Sequence, residues 1–414
     1  MRILFLSPYV PSKVRIRPYS WIRTLAALGH EVHLVALRPP EDEWADVDEL
    51  RTVCDAVDVL PLSRRRTLIN GLLSLPTRRP LQLAYAHLPA AIDHVARLAW
   101  ERPFDVVHVE HLRGVALASR LRDVPIVWDA VDSISALFGD TRRLAPSRGQ
   151  RAVAALDLRR TRRFEARAPF LFDRTVVTSP ADAEAFVQLA GPSAASRLAV
   201  VPNGVDTGYF RPAADTPREG VIFTGKLSYH ANAAAVLRLV RDIMPHVWAR
   251  SPDTPVRVVG KDPPPTIQEL ARDPRVTVTG FVDDLRPSFA AAAVAACPLV
   301  YGVGIQNKVL EAMASGVPVV TTPGAAAALL ATPGRDLLMA DGDLAFADAL
   351  CSLLGAPDRC AAMGEAGRAY VEREHQWPRL AERLTSVYRQ ATVQQAEVPL
   401  RGTPLPSAAD GARG

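Results

Sequence analysis

Short continuous apolar runs alternate with apolar positions at helical spacing along most of the 414 residues. The run "RILFL" is followed by the loop "PYVPSKVRIRP", by "YSWIRTLAALG" with helical apolar spacing, and by the run "EVHLVAL". A buried strand, a helix and a second buried strand in that order predict a βαβ unit and a parallel sheet. "AVDVLPL", "FDVVHV", "VPIVWDA", "DRTVVTS" and "LAVVP" continue the series as strands. After "PNGVDTGYFRPAADTPREG" it restarts with "VIFTG", "VRVVG", "VTVTG", "AACPL" and "VPVVTT". The predicted class is α/β, with two doubly wound, Rossmann-like domains over 1–205 and 206–376. "WPRLAERLTSVYRQAT" predicts a C-terminal helix over 377–393 that packs back on the first domain, and 394–414 reads as a disordered tail.

Composition narrows the partners. Net charge is +5, which favours anions without saying which. The four cysteines (Cys54, Cys297, Cys351, Cys360) form no C-x-x-C pair, so they read as reduced thiols in a reducing compartment. The start "MRILFLSPYV" reads as a buried strand rather than a leader, because Pro8 interrupts it and basic residues follow it. The longest uncharged run is broken by Pro298 and two glycines and makes a poor membrane span. Segment 141–167 carries nine arginines against two acids. It is either a solvated helix face or a contact for anionic lipid headgroups or an anionic substrate. Nucleic acid is not indicated, since no nucleic-acid motif accompanies the charge.

The stretch "GVGIQNKVLEAMASGVPVV" (302–320) holds the most chemistry. It follows an apolar strand and opens a helix, and helix N-termini at the carboxyl ends of strands suit phosphate. Gly302 and Gly304 permit close backbone approach, and Lys308 places a cation in the first turn, where it opposes the helix dipole unless an anion is bound. Glu311 is either a plain ion-pair partner of Lys308 or a carboxylate for sugar hydroxyls. In "FTGKLSYHAN" a strand ends in Gly225 and Lys226 follows, so two lysines and a helix terminus would neutralise a diphosphate. A dinucleotide fingerprint is incomplete here, as "GVGIQN" has only two of its glycines. In the first half, Glu110 and His111 end one strand and Asp129 and Asp132 end another. With Arg17 of the first loop, these aspartates are the acceptor-side candidates. The D-x-D of Asp46 and Asp48 lies in an acidic helical run, and no metal site is predicted.

Together "PNGVD", "FTGKLSYHAN", "VTGFVDDLRPSFAAAAVAACPL" and "GIQNKVLEAMASGVPVV" resemble the retaining glycosyltransferases of family four, with the GT-B fold of two domains facing a cleft. The wording is similar to bacterial sugar transferases of exopolysaccharide clusters, and the resemblance runs from residue 1 to about 390. It implies transfer of a sugar from a nucleotide-diphosphate-sugar donor to an acceptor hydroxyl with retention, in polysaccharide, glycolipid or glycoconjugate biosynthesis. The donor would bind the second domain and a sugar, lipid-linked sugar or small-molecule acceptor the first, without cofactor or metal. Lys226 matches the basic residue on the donor diphosphate, and Glu311 the second acid of an E-x7-E element that holds the ribose. The turn Gly304, Ile305, Gln306, Asn307 presents backbone N–H groups, with Gly225 and Lys308 beside it. Glu110 aligns with a cleft residue, with His111 adjacent; with Lys226 and Lys308 these are the catalytic candidates. The cysteine usage and the start read as a strand put the expected location in the cytoplasm, with the arginine-rich 141–167 available to the inner membrane face.

Three positions depart from the family pattern. Val303 stands where the first acid is expected, Asn232 where a second basic donor residue is expected, and Lys13-Val14 where a glycine pair is expected. Lys308 is the candidate substitute for the basic residue. The rival readings are a GT-B nucleotide-sugar 2-epimerase and a catalytically inactive nucleotide-sugar binder.

Overall fold

A computed structural model describes residues 1–40, 42, 44–144, 148–213, 216–300 and 304–397. The chain divides into Met1–Pro202 joined by the segment from Trp377 onward, and Asn203–Gln376.

The first unit is built on a parallel sheet of β1 (Arg2–Ser7), β2 (Glu31–Arg38), β3 (Ala56–Pro61), β4 (Val106–Glu110), β5 (Ile126–Val131), β6 (Arg174–Val177) and β7 (Leu198–Val200), in the order β3-β2-β1-β4-β5-β6-β7. Ile3 pairs with Val32 on one side and Val106 on the other, so the order reverses between β1 and β4. The central strands β1 and β4 are buried on both faces, which is why they read as nearly unbroken apolar runs, whereas the edge strands β3 and β7 are only partly buried. One face carries Leu4, Leu6, Val107, Trp128 and Phe172. The other packs Phe5, Trp21, Ile22 and Leu34 against Trp377, Leu380, Leu384 and Tyr388 of the C-terminal helix. Trp21 and Trp377 meet edge to face at 4.9 Å. That helix runs Trp377–Glu397, four residues past the predicted end, and its buried apolar stripe runs through Ala391. The rest of the predicted tail, 398–414, lies outside the described residues.

The second unit repeats the plan with β8 (Glu219–Thr224), β9 (Val256–Val259), β10 (Val276–Gly280), β11 (Ala292–Cys297), β12 (Val319–Thr321) and β13 (Leu338–Met339), ordered β10-β9-β8-β11-β12-β13. The order reverses between β8 and β11. In doubly wound sheets that reversal opens the crevice where ligands sit. β13 escaped prediction because two residues carry no periodicity. The division falls after Pro202 rather than after Val205: the Val205 N–H donates to the His375 carbonyl at 2.7 Å and ties the junction into the second unit.

Candidate active site

The two loops at the second switch point carry the donor candidates. Gly225 follows β8 with φ of 149°, a region that penalises a side chain. A Cβ there would also sit 2.9 Å from Asn232 Nδ2 and 3.1 Å from Lys308 Cε. After β11 the chain reaches Gly304, left-handed at φ 73°, then Ile305 and Gln306, and the helix runs Asn307–Ala314. No side chain caps this helix, so its first N–H groups are open to an anion. Gly302 and Val303 lie outside the described residues.

Asn232 joins the two loops. Its Nδ2 donates to the Lys226 carbonyl at 2.9 Å, and its Oδ1 accepts from Lys308 Nζ at 2.9 Å. Gln306 Oε1 accepts from the same ammonium at 3.4 Å, and the Phe223 ring lies beneath it with its centroid 5.4 Å away. Lys226 is exposed. Asn307 Oδ1 accepts from Asn203 Nδ2 at 3.2 Å, so the junction braces the helix start; the sequence carried no signal for this brace. The Glu311 carboxyl is half-buried, and burial pushes it up to about 7 against the pull of the Lys308 ammonium. In the second unit the described donor-side candidates thus lie on the loop after β8, the turn Gly304–Gln306 and the helix Asn307–Ala314.

The first unit carries the remaining candidates. Glu110 is fully buried and accepts from the Tyr9 hydroxyl at 3.2 Å. Burial raises its carboxyl, with Asp129 adding to the rise and His108 opposing it. His111 is half-buried and sits at φ 58°, a strained conformation for a residue with a Cβ. Val131, which ends the adjacent strand, has φ 68°. Burial, reinforced by Arg113, lowers the His111 imidazole to about 3. It is therefore neutral and too weak to be a general base at neutral pH. Its Nδ1 accepts from the Arg113 N–H at 3.3 Å, which leaves Nε2–H as a donor.

Arg17 and Asp129 are taken up by each other rather than presented to an acceptor. Arg17 Nε and Nη2 donate to the two Asp129 oxygens at 2.9 and 3.0 Å, and Nη2 also donates to the Val201 carbonyl at 3.0 Å. Burial alone would lower the Arg17 guanidinium, but Asp129 more than offsets it and the pKa is raised. Asp132 accepts from Thr178 Oγ1 at 2.9 Å. Burial, with repulsion from Asp182, raises its carboxyl to about 6. Among the described residues one group of ligand-type side chains comes together, His108, Glu110 and Asp129, whose donor atoms lie within 4.8 Å of one another. Asp129 in that group is already engaged by Arg17 and by Trp21 Nε1 at 3.2 Å. Asp46 and Asp48 lie on the helix Trp44–Arg51, where Asp48 pairs with Arg51 at 2.8 Å.

Comparison with known proteins matches both units to glycosyltransferase family models. Residues 17–209 match the family model of Glycosyltransferase Family 4, and residues 218–356 that of Glycosyl transferases group 1. A GDP-mannose-dependent monoacylated alpha-(1-6)-phosphatidylinositol monomannoside mannosyltransferase of Corynebacterium glutamicum is 34% identical over 45% of this chain and 55% of its own length. The alpha-maltose-1-phosphate synthase of Mycolicibacterium smegmatis is 29% identical over 47% of this chain and 57% of its own. The chain thus spans a little over half the length of these relatives. Among solved structures, a sucrose-phosphate synthase from Thermosynechococcus elongatus superposes with TM-score 0.69 at 19% identity, covering 95% of this chain and 99% of that one. Anabaena HepE in complex with UDP-glucose does so with TM-score 0.63 at 17% identity, covering 96% and 100%. With a family model on each unit and the sheets of GT-B proteins, the chain belongs to glycosyltransferase family 4.

Proposed function

We propose that the protein transfers a glycosyl group from a nucleotide-diphosphate sugar to an acceptor hydroxyl, with retention of anomeric configuration. The observation that carries this reading is the Lys308 ammonium held by Asn232 above the Gly225–Lys226 turn, beside an uncapped helix N-terminus. Breaking the sugar–phosphate bond builds negative charge on the leaving diphosphate. Lys226, Lys308 and the N–H groups from Ile305 to Lys308 stabilise that charge where it develops, as preorganised electrostatics. Glu311 accepts from ribose hydroxyls. Attack takes place on the face that the diphosphate leaves, and a phosphate oxygen takes the acceptor proton, so no protein nucleophile is needed. His111 Nε2–H donates to a hydroxyl of substrate. The first unit takes the acceptor, a sugar, lipid-linked sugar or small molecule. Relatives named for GDP-mannose and a neighbour bound to UDP-glucose put these two donors first for testing.

The test is product formation from each donor with candidate acceptors, resolved by mass spectrometry and by the anomeric proton coupling. A new glycosidic bond of retained configuration supports the reading and excludes epimerisation. Turnover that persists in EDTA agrees with charge stabilisation by the chain's own groups. Nucleotide binding with no product from any acceptor would favour an inactive binder.

Two expected results follow from the donor loops. Asn232→Ala frees the Lys308 ammonium and should lower kcat/KM about tenfold or more, since small displacements of a charged group cost that much. Asn232→Asp should cost more, because a carboxylate there pairs with Lys308 and repels the diphosphate; equal losses in the two variants would count against a phosphate at that point. The Glu311 carboxyl titrates at about 7 and the ribose contact needs its ionised form. Donor affinity should therefore rise about tenfold between roughly pH 6 and 8, following the ionised fraction. In Glu311→Gln the same titration should be flat. The raised pKa has the opposite effect on stability: the contribution is full below the ordinary carboxyl range and is lost as pH rises through about 7.

Residues 145–147 and several side chains of the arginine-rich segment lie outside the described residues. Peripheral contact through 141–167 with an anionic membrane stands as part of this proposal. No described helix is long and apolar enough to cross a membrane.

A further inference from the structure

The helix Arg64–Ser74, "RRRTLINGLLS", is turned inside out. A surface helix normally puts its apolar stripe against the core and its polar face in water. Here the inward positions are polar. Asn70 and Ser74 are buried, and Asn70 Nδ2 donates to the His87 carbonyl at 2.8 Å. The outward positions are large and apolar: Leu68, Ile69, Leu72 and Leu73 are 66, 48, 58 and 69% exposed, and Leu75 just beyond is 44% exposed. Ser63 caps the helix, its Oγ accepting from the Arg66 N–H at 3.2 Å, so the face is presented by a well-formed element. Five large apolar side chains within eight residues make a contiguous patch of the kind that marks an interaction surface.

The charge around the patch says what covers it. Arg64, Arg65 and Arg66 open the helix, and Arg78 and Arg79 follow it. No acidic residue occurs between Asp58 and Asp93. The basic helix Arg148–Glu165 adjoins the same end: Arg160 Nη2 donates to the Leu75 carbonyl at 2.5 Å. One turn before Arg160 on that helix, Leu156 is 49% exposed. An apolar face rimmed by arginines lies in the boundary between headgroups and acyl chains of an anionic bilayer. A second copy would bring the same arginines against each other and is disfavoured by their repulsion.

We infer that the Arg64–Ser74 helix is a membrane-docking element that inserts Leu68, Ile69, Leu72 and Leu73 into an anionic lipid surface, with Arg64–Arg66 and the neighbouring arginine-rich helix on the headgroups. It fixes the first unit to the membrane and does not depend on the transferase reading, because its readout is lipid binding without turnover.

The test is flotation of the full chain with vesicles of phosphatidylcholine alone and of phosphatidylcholine with phosphatidylglycerol. The wild type should float with the anionic vesicles and far less with the neutral ones. Leu72→Asp/Leu73→Asp should abolish flotation at any salt. Arg64→Gln/Arg65→Gln/Arg66→Gln should weaken it by roughly a hundredfold, the share of three cations near an anionic surface. The altered side chains are exposed, and unchanged urea midpoints would show that the variants still fold. Absence of flotation with either vesicle, or flotation that survives the leucine substitutions, would overturn the inference. So would self-association in solution that disappears in the leucine variant while vesicles are ignored, since the face would then cover a second copy.

Discussion

Replacing Lys226 by Ala and Lys308 by Met should each lower kcat by about a hundredfold to a thousandfold, the loss typical of removing one preorganised stabiliser of developing charge. The mechanism predicts where the loss falls. Ground-state donor already carries its diphosphate, so KM should rise in both variants. The leaving group gains a further charge only as the bond breaks, so kcat should fall as well. Lys308 is half-buried among Asn232, Gln306 and Phe223, whereas Lys226 is exposed. Lys308→Met should therefore be the more costly change. Lys308→Arg should not restore full rate, because the larger planar guanidinium displaces the charge from the point where the ammonium meets Asn232 Oδ1 over the Phe223 ring. Michaelis constants for the proposed donor in the three variants decide it. A rise in KM with kcat unchanged would assign the lysines to uniform donor binding alone.

Arg17→Met should destabilise the first unit by about 3–5 kcal/mol, the cost of leaving one member of a buried ion pair without its partner. Asp129 would lose two charge-assisted bonds, and the Val201 carbonyl would lose its donor as well. Glu110 and Asp129 would then share a buried pocket whose neighbouring guanidinium is gone. Arg17→Met/Asp129→Asn removes the stranded charge and should recover a large part of the loss. Five of the six tryptophans (Trp21, Trp44, Trp100, Trp128 and Trp377) lie in the first unit, so the urea midpoint by tryptophan fluorescence reads the right part of the chain. If the single variant kept the wild-type midpoint, the pair would be free for substrate after all, as the sequence reading had it.

The strands were legible because parallel strands buried on both faces are written as unbroken apolar runs. The donor loops were legible for a related reason: glycine, lysine and an opening helix follow the strand ends in both "FTGK" and "GVGIQNK". What sequence alone could not show was which polar residues at strand ends turn inward. Glu110 and His111 are neighbours, yet one is buried against Tyr9 and the other is half-exposed with a left-handed backbone. Arg17 and Asp129 lie 112 residues apart; Arg17 falls in the first turn of the helix Ile16–Ala27 rather than in the loop where the sequence reading put it, and the pairing of β5 beside β4 brings the carboxylate to that helix. The departure at Asn232 has a counterpart in three dimensions, since its amide receives the ammonium of Lys308 from another helix. The inverted helix at 64–74 passed unread because an apolar stripe at helical spacing looks the same whether it faces a core or a membrane.

The central claim is that the Lys226 turn and the 307–314 helix hold a nucleoside diphosphate. Calorimetric titration of GDP, UDP and the corresponding nucleotide sugars into the wild type, Lys226→Ala and Lys308→Met tests it most directly. The account predicts that one nucleoside diphosphate binds nearly as tightly as its sugar conjugate, that the free sugar does not bind, and that both variants lose at least about tenfold in affinity, as expected when a charge-assisted contact is removed. Absence of binding by any nucleoside diphosphate, or equal affinity in all three proteins, would contradict it.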